Sequence, residues 1–240
     1  MATEKKQSNV PVITLDGPSG SGKGTIALAL SSQLKWNLLN SGYIYRAMAF
    51  LAIKKNISPN EEAKILELVS NSSFELKVLK NQTRVFCEKE DITEIISDEC
   101  YGNVASRIAV NKSVRNELIA KQRDFVKPPG LIAEGRDMGT VLFPNAELKI
   151  FITAAPKERA MRRAKQLKEK GITVRLSPLI DEILARDKRD RDRLESPLIP
   201  HSDSIMIDTT CLSVREVVSL VRILAIGKFE HIANKLEAGN

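Results

Sequence analysis

Histidine, cysteine and tryptophan are scarce in this sequence. The 240 residues include two histidines, three cysteines and one tryptophan, and aromatics make up 5%. Cys87, Cys100 and Cys211 are far apart and odd in number, which argues against a disulfide framework and a zinc site. They are expected as buried small hydrophobes. His201 and His231 have no partner pattern for a Ser-His-Asp site or a metal. The longest apolar run, Ala47 to Ile53, has seven residues, against roughly twenty for a membrane span. Met1 to Asn9 is polar and charged, with no apolar leader stretch. No membrane partner and a cytoplasmic location are therefore expected.

What is present is an ordinary soluble composition, 42% hydrophobic and 28% charged, enough for a sizeable core. The net charge is +7, and Lys157 to Arg193 holds thirteen Lys/Arg against seven Asp/Glu. Nearly the whole excess thus lies in one segment. Such a segment suits a nucleic-acid track or a lid over a polyphosphate. A track needs aromatics for base stacking, and none lies between Lys157 and Arg193. No nucleic-acid partner is expected.

Val10 to Leu15 has the continuous apolar pattern of a strand buried on both faces, and Leu38-Leu39, Leu131 to Ala133, Leu148 to Thr153 and Ile205 to Ile207 read as further strands. Helical patterns run through Ile26 to Leu34, Tyr43 to Lys55, Pro156 to Lys170, Pro178 to Leu194 and Val214 to Ile226. Between Pro59 and Val126 the pattern changes. Glu61 to Val69, Asp98 to Ala109 and Lys112 to Val126 suggest helices, and Phe74 to Val78 and Val85-Phe86 suggest antiparallel strands joined near Lys80-Asn81. Strands alternating with helices around such an insert predict a doubly wound α/β core.

The strongest local signal is Gly17-Pro18-Ser19-Gly20-Ser21-Gly22-Lys23-Gly24-Thr25, between a predicted strand and a predicted helix. Glycines let the backbone N–H groups turn inward, and the positive helix end suits phosphate. Lys23 can reach the β- and γ-phosphates. Gly24 stands where Ser or Thr usually follows the lysine, so the hydroxyl waits until Thr25. No Asn-Lys-x-Asp run is present to read guanine. Arg46 and Arg136 each follow a predicted strand, at the sheet edge where ligands of open α/β folds bind. Their forked guanidiniums suit a phosphate dianion. Arg186, Asp190 and Arg193, spaced i, i+4, i+7, are expected on one helix face.

The loop, together with Ser41-Gly42-Tyr43-Ile44-Tyr45-Arg46, Glu134-Gly135-Arg136-Asp137-Met138-Gly139-Thr140 and Arg186-Asp187-Lys188-Arg189-Asp190-Arg191-Asp192-Arg193, resembles bacterial-type cytidylate kinases from about Val10 to Ile226. The resemblance implies phosphoryl transfer from ATP, with Mg²⁺, to CMP and dCMP. It implies a three-layer α/β/α P-loop core with a parallel sheet at 10–57 and 127–240, and an acceptor-binding insert at 58–126. A short mobile lid falls within about 157–195, and 1–9 is a tail. Lys23, Arg162 and Arg136 would be catalytic, with Arg46 and Arg136 on the CMP phosphate. Arg186, Asp190 and Ser106 would hold the pentose, and Ser41, Arg115, Asp137 and Arg193 would read the base. Arg159 and Arg163 are further arginines on the helix of Arg162. No side chain is expected to bind a metal directly, although Glu134 could hold a Mg²⁺-bound water. A monomer is expected. Two departures stand out. Asn40 replaces the family's usual Asp before Ser-Gly, and Tyr43 replaces a small residue. Shikimate-type kinases would share the loop but not the pairing of Arg46 with Gly135-Arg136-Asp137. UMP or AMP kinases are closer, and the Arg193–Asp137 pair favours cytosine.

Overall fold

A computed structural model describes residues 10–79, 82–169 and 171–229. The expected Lys80-Asn81 joint, Lys170 at a helix end, His231 and the 1–9 tail lie outside these residues. The chain runs β1 (Val12–Asp16), α1 (Lys23–Leu34), β2 (Asn37–Asn40), α2 (Ser41–Lys54), α3 (Glu62–Asn71), β3 (Phe74–Leu79), β4 (Gln82–Cys87), β5 (Glu90–Asp91), α4 (Glu99–Ile108) and α5 (Lys112–Arg123). It continues with β6 (Leu131–Gly135), β7 (Leu148–Thr153), α6 (Pro156–Glu169), α7 (Leu176–Asp192), β8 (Ile205–Asp208) and α8 (Val214–Lys228). A 3₁₀ turn at Ile95–Ser97 and a π turn at Met138–Leu142 complete it.

Five parallel strands form the main sheet in the order β2-β6-β1-β7-β8. Every residue of β1 and β6 is buried, as central parallel strands require. Alternate side chains feed two cores. Ile13, Leu15, Ile150 and Ile152 meet Ile26 and Leu30 of α1 and Val217 and Val221 of α8. Val12, Leu39, Leu131 and Ala133 face the other way, against Met48 and Leu51 of α2. That second core continues through Ile65, Ile108 and Leu118, so the segment between α2 and β6 packs on the sheet without a break. The α/β expectation holds, with helices on both faces of a parallel sheet. A second sheet, β3-β4-β5, is antiparallel, with Phe74 opposite Cys87.

Local chemistry sets the boundaries. Asn40 caps α2, its Oδ1 accepting the Tyr43 N–H at 3.0 Å. Ser213 and Glu216 form a capping box on α8. α7 starts at Leu176 rather than Pro178, because a proline in the first turn needs no N–H partner. α7 also ends sooner than its periodicity suggests. Arg193 is its extended C-cap (φ −65°, ψ 137°), so Arg193 does not share a helix face with Arg186 and Asp190. The cysteine expectation holds only for Cys87. Cys100 and Cys211 are free and exposed.

Candidate active site

Asp16 ends β1 and Gly17 turns the chain at φ 143°. A Cβ there would lie 1.9 Å from the Ile152 carbonyl oxygen, so only glycine lets the loop pass this close to β7. Gly22 caps α1 without a side chain, leaving the helix N–H groups open to an anion. Lys23 is buried, and its Nζ donates to the Pro18 carbonyl at 2.6 Å and the Ser21 hydroxyl at 3.3 Å. Burial, then the nearby Arg136 charge, holds its pKa well below the ordinary lysine value. Burial pushes Asp16 up to about 6, although it accepts the Met138 and Gly139 N–H groups at 2.8 Å each.

Glu134, at the end of β6, faces the unusual Gly24: a Cβ on residue 24 would sit 3.0 Å from its Oε1, a tight approach that the carboxylate would have to relieve by shifting. Asn40 donates a hydrogen bond to the same oxygen. Burial raises the Glu134 pKa against the pull of Lys23 and Arg136. Thr25 is exposed on the next position of α1.

Beside this floor is a cavity of about 70 Å³. Ser41, Arg46, Ser106, Arg115, Arg136, Asp137, Arg186, Asp190 and Arg193 all line it, so the nine residues predicted around an acceptor come together. Arg115 pairs with Asp137 where both are buried, and its guanidinium stacks 5.7 Å from the Tyr45 ring centroid. Arg136 Nε donates to Asp190 at 2.9 Å. Burial raises the Asp190 pKa, but Arg136 and Arg186 outweigh it and hold the carboxyl below its ordinary value. Burial lowers the pKa of Arg186, helped by Arg136, and of Arg193, helped by Arg115. Ser106 Oγ, Arg115 Nε, Arg186 Nε and Arg193 Nη2 are buried without a hydrogen-bond partner. Each unmade bond costs about 1–3 kcal/mol, which a polar ligand would recover. A larger groove of about 710 Å³, near Trp36, Phe74 and Phe125, contains none of the predicted residues.

The three arginines of α6 diverge. Arg162 lies against the loop, its Nη1 within 3.5 Å of the Ser21 carbonyl and 3.1 Å of Thr209 Oγ1. Arg159 is buried in an ion pair with Asp187 and donates to the Ser19 carbonyl at 3.0 Å. Arg163 reaches Glu99 on α4 at 3.0 Å. Arg46 donates to the Ile96 and Asp98 carbonyls at 2.7 Å each. Sequence reasoning missed Asp16, Tyr45, Thr209 and Glu99. Asp16, directly before the loop, and Tyr45, inside the Ser41–Arg46 motif, carried a positional signal; Thr209 and Glu99 carried none. His201 pairs with Asp203 at 2.5 Å, apart from these residues.

Among known proteins, the family model described as cytidylate kinase matches residues 13–225. The cytidylate kinase of Pseudomonas syringae pv. tomato is 50% identical over 217 residues, 90% of this chain and 94% of that one. That of Colwellia psychrerythraea is 45% identical over 223 residues, 92% of this chain and 99% of that one. A solved shikimate kinase from Acinetobacter baumannii is 14% identical, with a TM-score of 0.41 and coverage of 91% and 94%. Full-length relatives at this identity leave one assignment: the chain belongs to the cytidylate kinase family.

Proposed function

We propose that this chain transfers the γ-phosphoryl group of ATP to CMP and dCMP, forming ADP and CDP or dCDP. The carrying observation is the small cavity lined by nine predicted polar side chains, four of them with an unpartnered buried atom, beside an anion-binding loop. At the donor end, the loop N–H groups and Lys23 hold the β- and γ-phosphates. Phosphate charge favours protonated Lys23, so nucleotide binding offsets the burial that lowers its pKa.

Mg²⁺ suits this end. Among the described residues no group of three or more His, Cys, Asp or Glu could form a cage. The buried Glu134 carboxylate, which accepts from Asn40, is an oxygen donor of the kind Mg²⁺ takes and would hold an ion-bound water. Thr25 would contact a phosphate instead. Bound with ATP, Mg²⁺ neutralises phosphate charge.

Arg46 and Arg136 hold the CMP phosphate. Arg186, Asp190 and Ser106 hold the pentose. Asp137 accepts the cytosine amino hydrogen, and Ser41, Arg115 and Arg193 meet the remaining base edge. A carboxylate only accepts, so it opposes the carbonyl that uracil presents there. The reaction needs in-line placement and neutralised equatorial oxygens. No protein base is required, because the acceptor phosphate is largely ionised near pH 7. Arg162 supplies positive charge at the loop. Residues 58–126 act as the acceptor-binding subdomain, and 157–195 as a lid that excludes water. The protein is proposed to act as a cytoplasmic monomer without nucleic acid. ADP release should be measured against CMP, dCMP, UMP and AMP. CMP and dCMP should give the highest kcat/KM, and equal turnover of UMP or AMP would refute the acceptor assignment.

A further inference from the structure

Glu99 is the first residue of α4 and accepts from three arginines on three elements. Arg46 of α2 lies at 3.2 Å, Arg163 of α6 at 3.0 Å and Arg186 of α7 at 2.7 Å. No other carboxylate among the described residues makes direct ion pairs with three guanidiniums. The helix is pressed against this cluster. A Cβ on Gly102, one turn along, would lie 2.5 Å from Arg46 Nη2 and 2.9 Å from Glu99 Oε1. Arg46 is also fixed by two carbonyls just before α4, so the insert sets its orientation through three acceptors.

We propose that Glu99 is a positioning residue for phosphoryl transfer, holding Arg46 and Arg186 convergent at the acceptor cavity and tying them to Arg163 of the neighbouring helix. This rests on the reading of that cavity as the CMP site. Three guanidiniums this close repel one another and, left alone, would spread towards solvent. One carboxylate among them holds the geometry while leaving the cluster two positive charges in excess. That excess matches a phosphate dianion. A neutral side chain at residue 99 would keep the volume but release the arginines.

The test is a double-mutant cycle with Glu99→Gln and Arg46→Ala, read as kcat, KM for CMP and KM for ATP. Cytidine, which has the base and sugar but no phosphate, serves as a competitive inhibitor. Glu99→Gln should raise the KM for CMP about 10-fold, the scale of one charge-assisted contact, change the KM for ATP less than about 2-fold, and weaken cytidine inhibition clearly less than CMP binding, because cytidine keeps the pentose that Arg186 meets but lacks the phosphate that Arg46 meets. On the Arg46→Ala background the same substitution should do much less, because the interaction it removes is already gone. Glu99→Asp, which keeps the charge, should lose less than Glu99→Gln. A lower KM for CMP in Glu99→Gln would mean that the carboxylate competes with the phosphate, and would overturn the proposal. So would full additivity with Arg46→Ala, equal loss in the Asp and Gln variants, or parallel weakening of CMP and cytidine. Wild-type preference for CMP is a separate result. If it fails, the cavity assignment fails; if it holds while the cycle is additive, only the role of Glu99 falls.

Discussion

At the scale of residues, buried charge dominates. Lys23 sits inside the loop on the Pro18 carbonyl. Lys23→Met should lower kcat by at least ~10²-fold, the scale of one preorganised electrostatic contact, while leaving the unfolding midpoint nearly unchanged. Wild-type turnover would remove the nucleotide from the loop. Asp16 makes a pH prediction. Its folded pKa is raised from 3.8 to about 6, so the folded state holds the proton more tightly than the unfolded chain. The group is neutral in both states at low pH, and its contribution to stability falls as pH rises from about 4 to 6. The two-unit shift corresponds to about 3 kcal/mol. Asp16→Asn removes this titration, so the difference in unfolding free energy should move in the variant's favour across that interval. A pH-independent difference would contradict the assignment. Gly24 was legible as a departure, but the Glu134 carboxylate that crowds it comes from a strand more than a hundred residues away. Glu99 had no signal, because its three partners meet only in the folded chain.

At the scale of elements, the long apolar strands and the helix they feed were readable because burial on both faces leaves an unbroken pattern. The two-residue β5 is too short for a period, and the π turn at Met138–Leu142 is held by tertiary contacts, including Asp16 to the Met138 and Gly139 N–H groups. Helical periodicity ran through Arg193, although α7 stops at Asp192. The extended Arg193 still reaches the cavity, with its Nε donating to the Ser196 carbonyl at 2.5 Å. The α6–α7 pair depends on Arg159 and Asp187, whose side chains are 3% and 4% exposed. Asp187→Ala leaves that guanidinium buried and uncompensated. It should cost about 3–5 kcal/mol in urea unfolding, far above a surface substitution. A loss below about 1 kcal/mol would mean that water reaches Arg159.

At the scale of the whole molecule, buried charges from distant parts of the chain gather around one small cavity. The cavity of about 70 Å³ is well below the ~300 Å³ of ordinary ligand pockets. Its walls come from α2, α4, α5 and α7 and the end of β6. Two ion pairs, Arg136–Asp190 and Arg115–Asp137, lie within this lining. The four-part motif order was legible in the sequence; these ion pairs were not, because they form between side chains on separate elements. Base selection tests the account most directly. Asp137→Asn keeps the size of the side chain but adds an amide donor able to meet uracil. With kcat/KM for CMP and UMP measured on one folded preparation, the CMP:UMP ratio should fall about 10- to 100-fold, the worth of one hydrogen bond to a charged group, mainly through loss with CMP. An equal fall for both nucleotides would contradict the account, because base reading would then lie elsewhere.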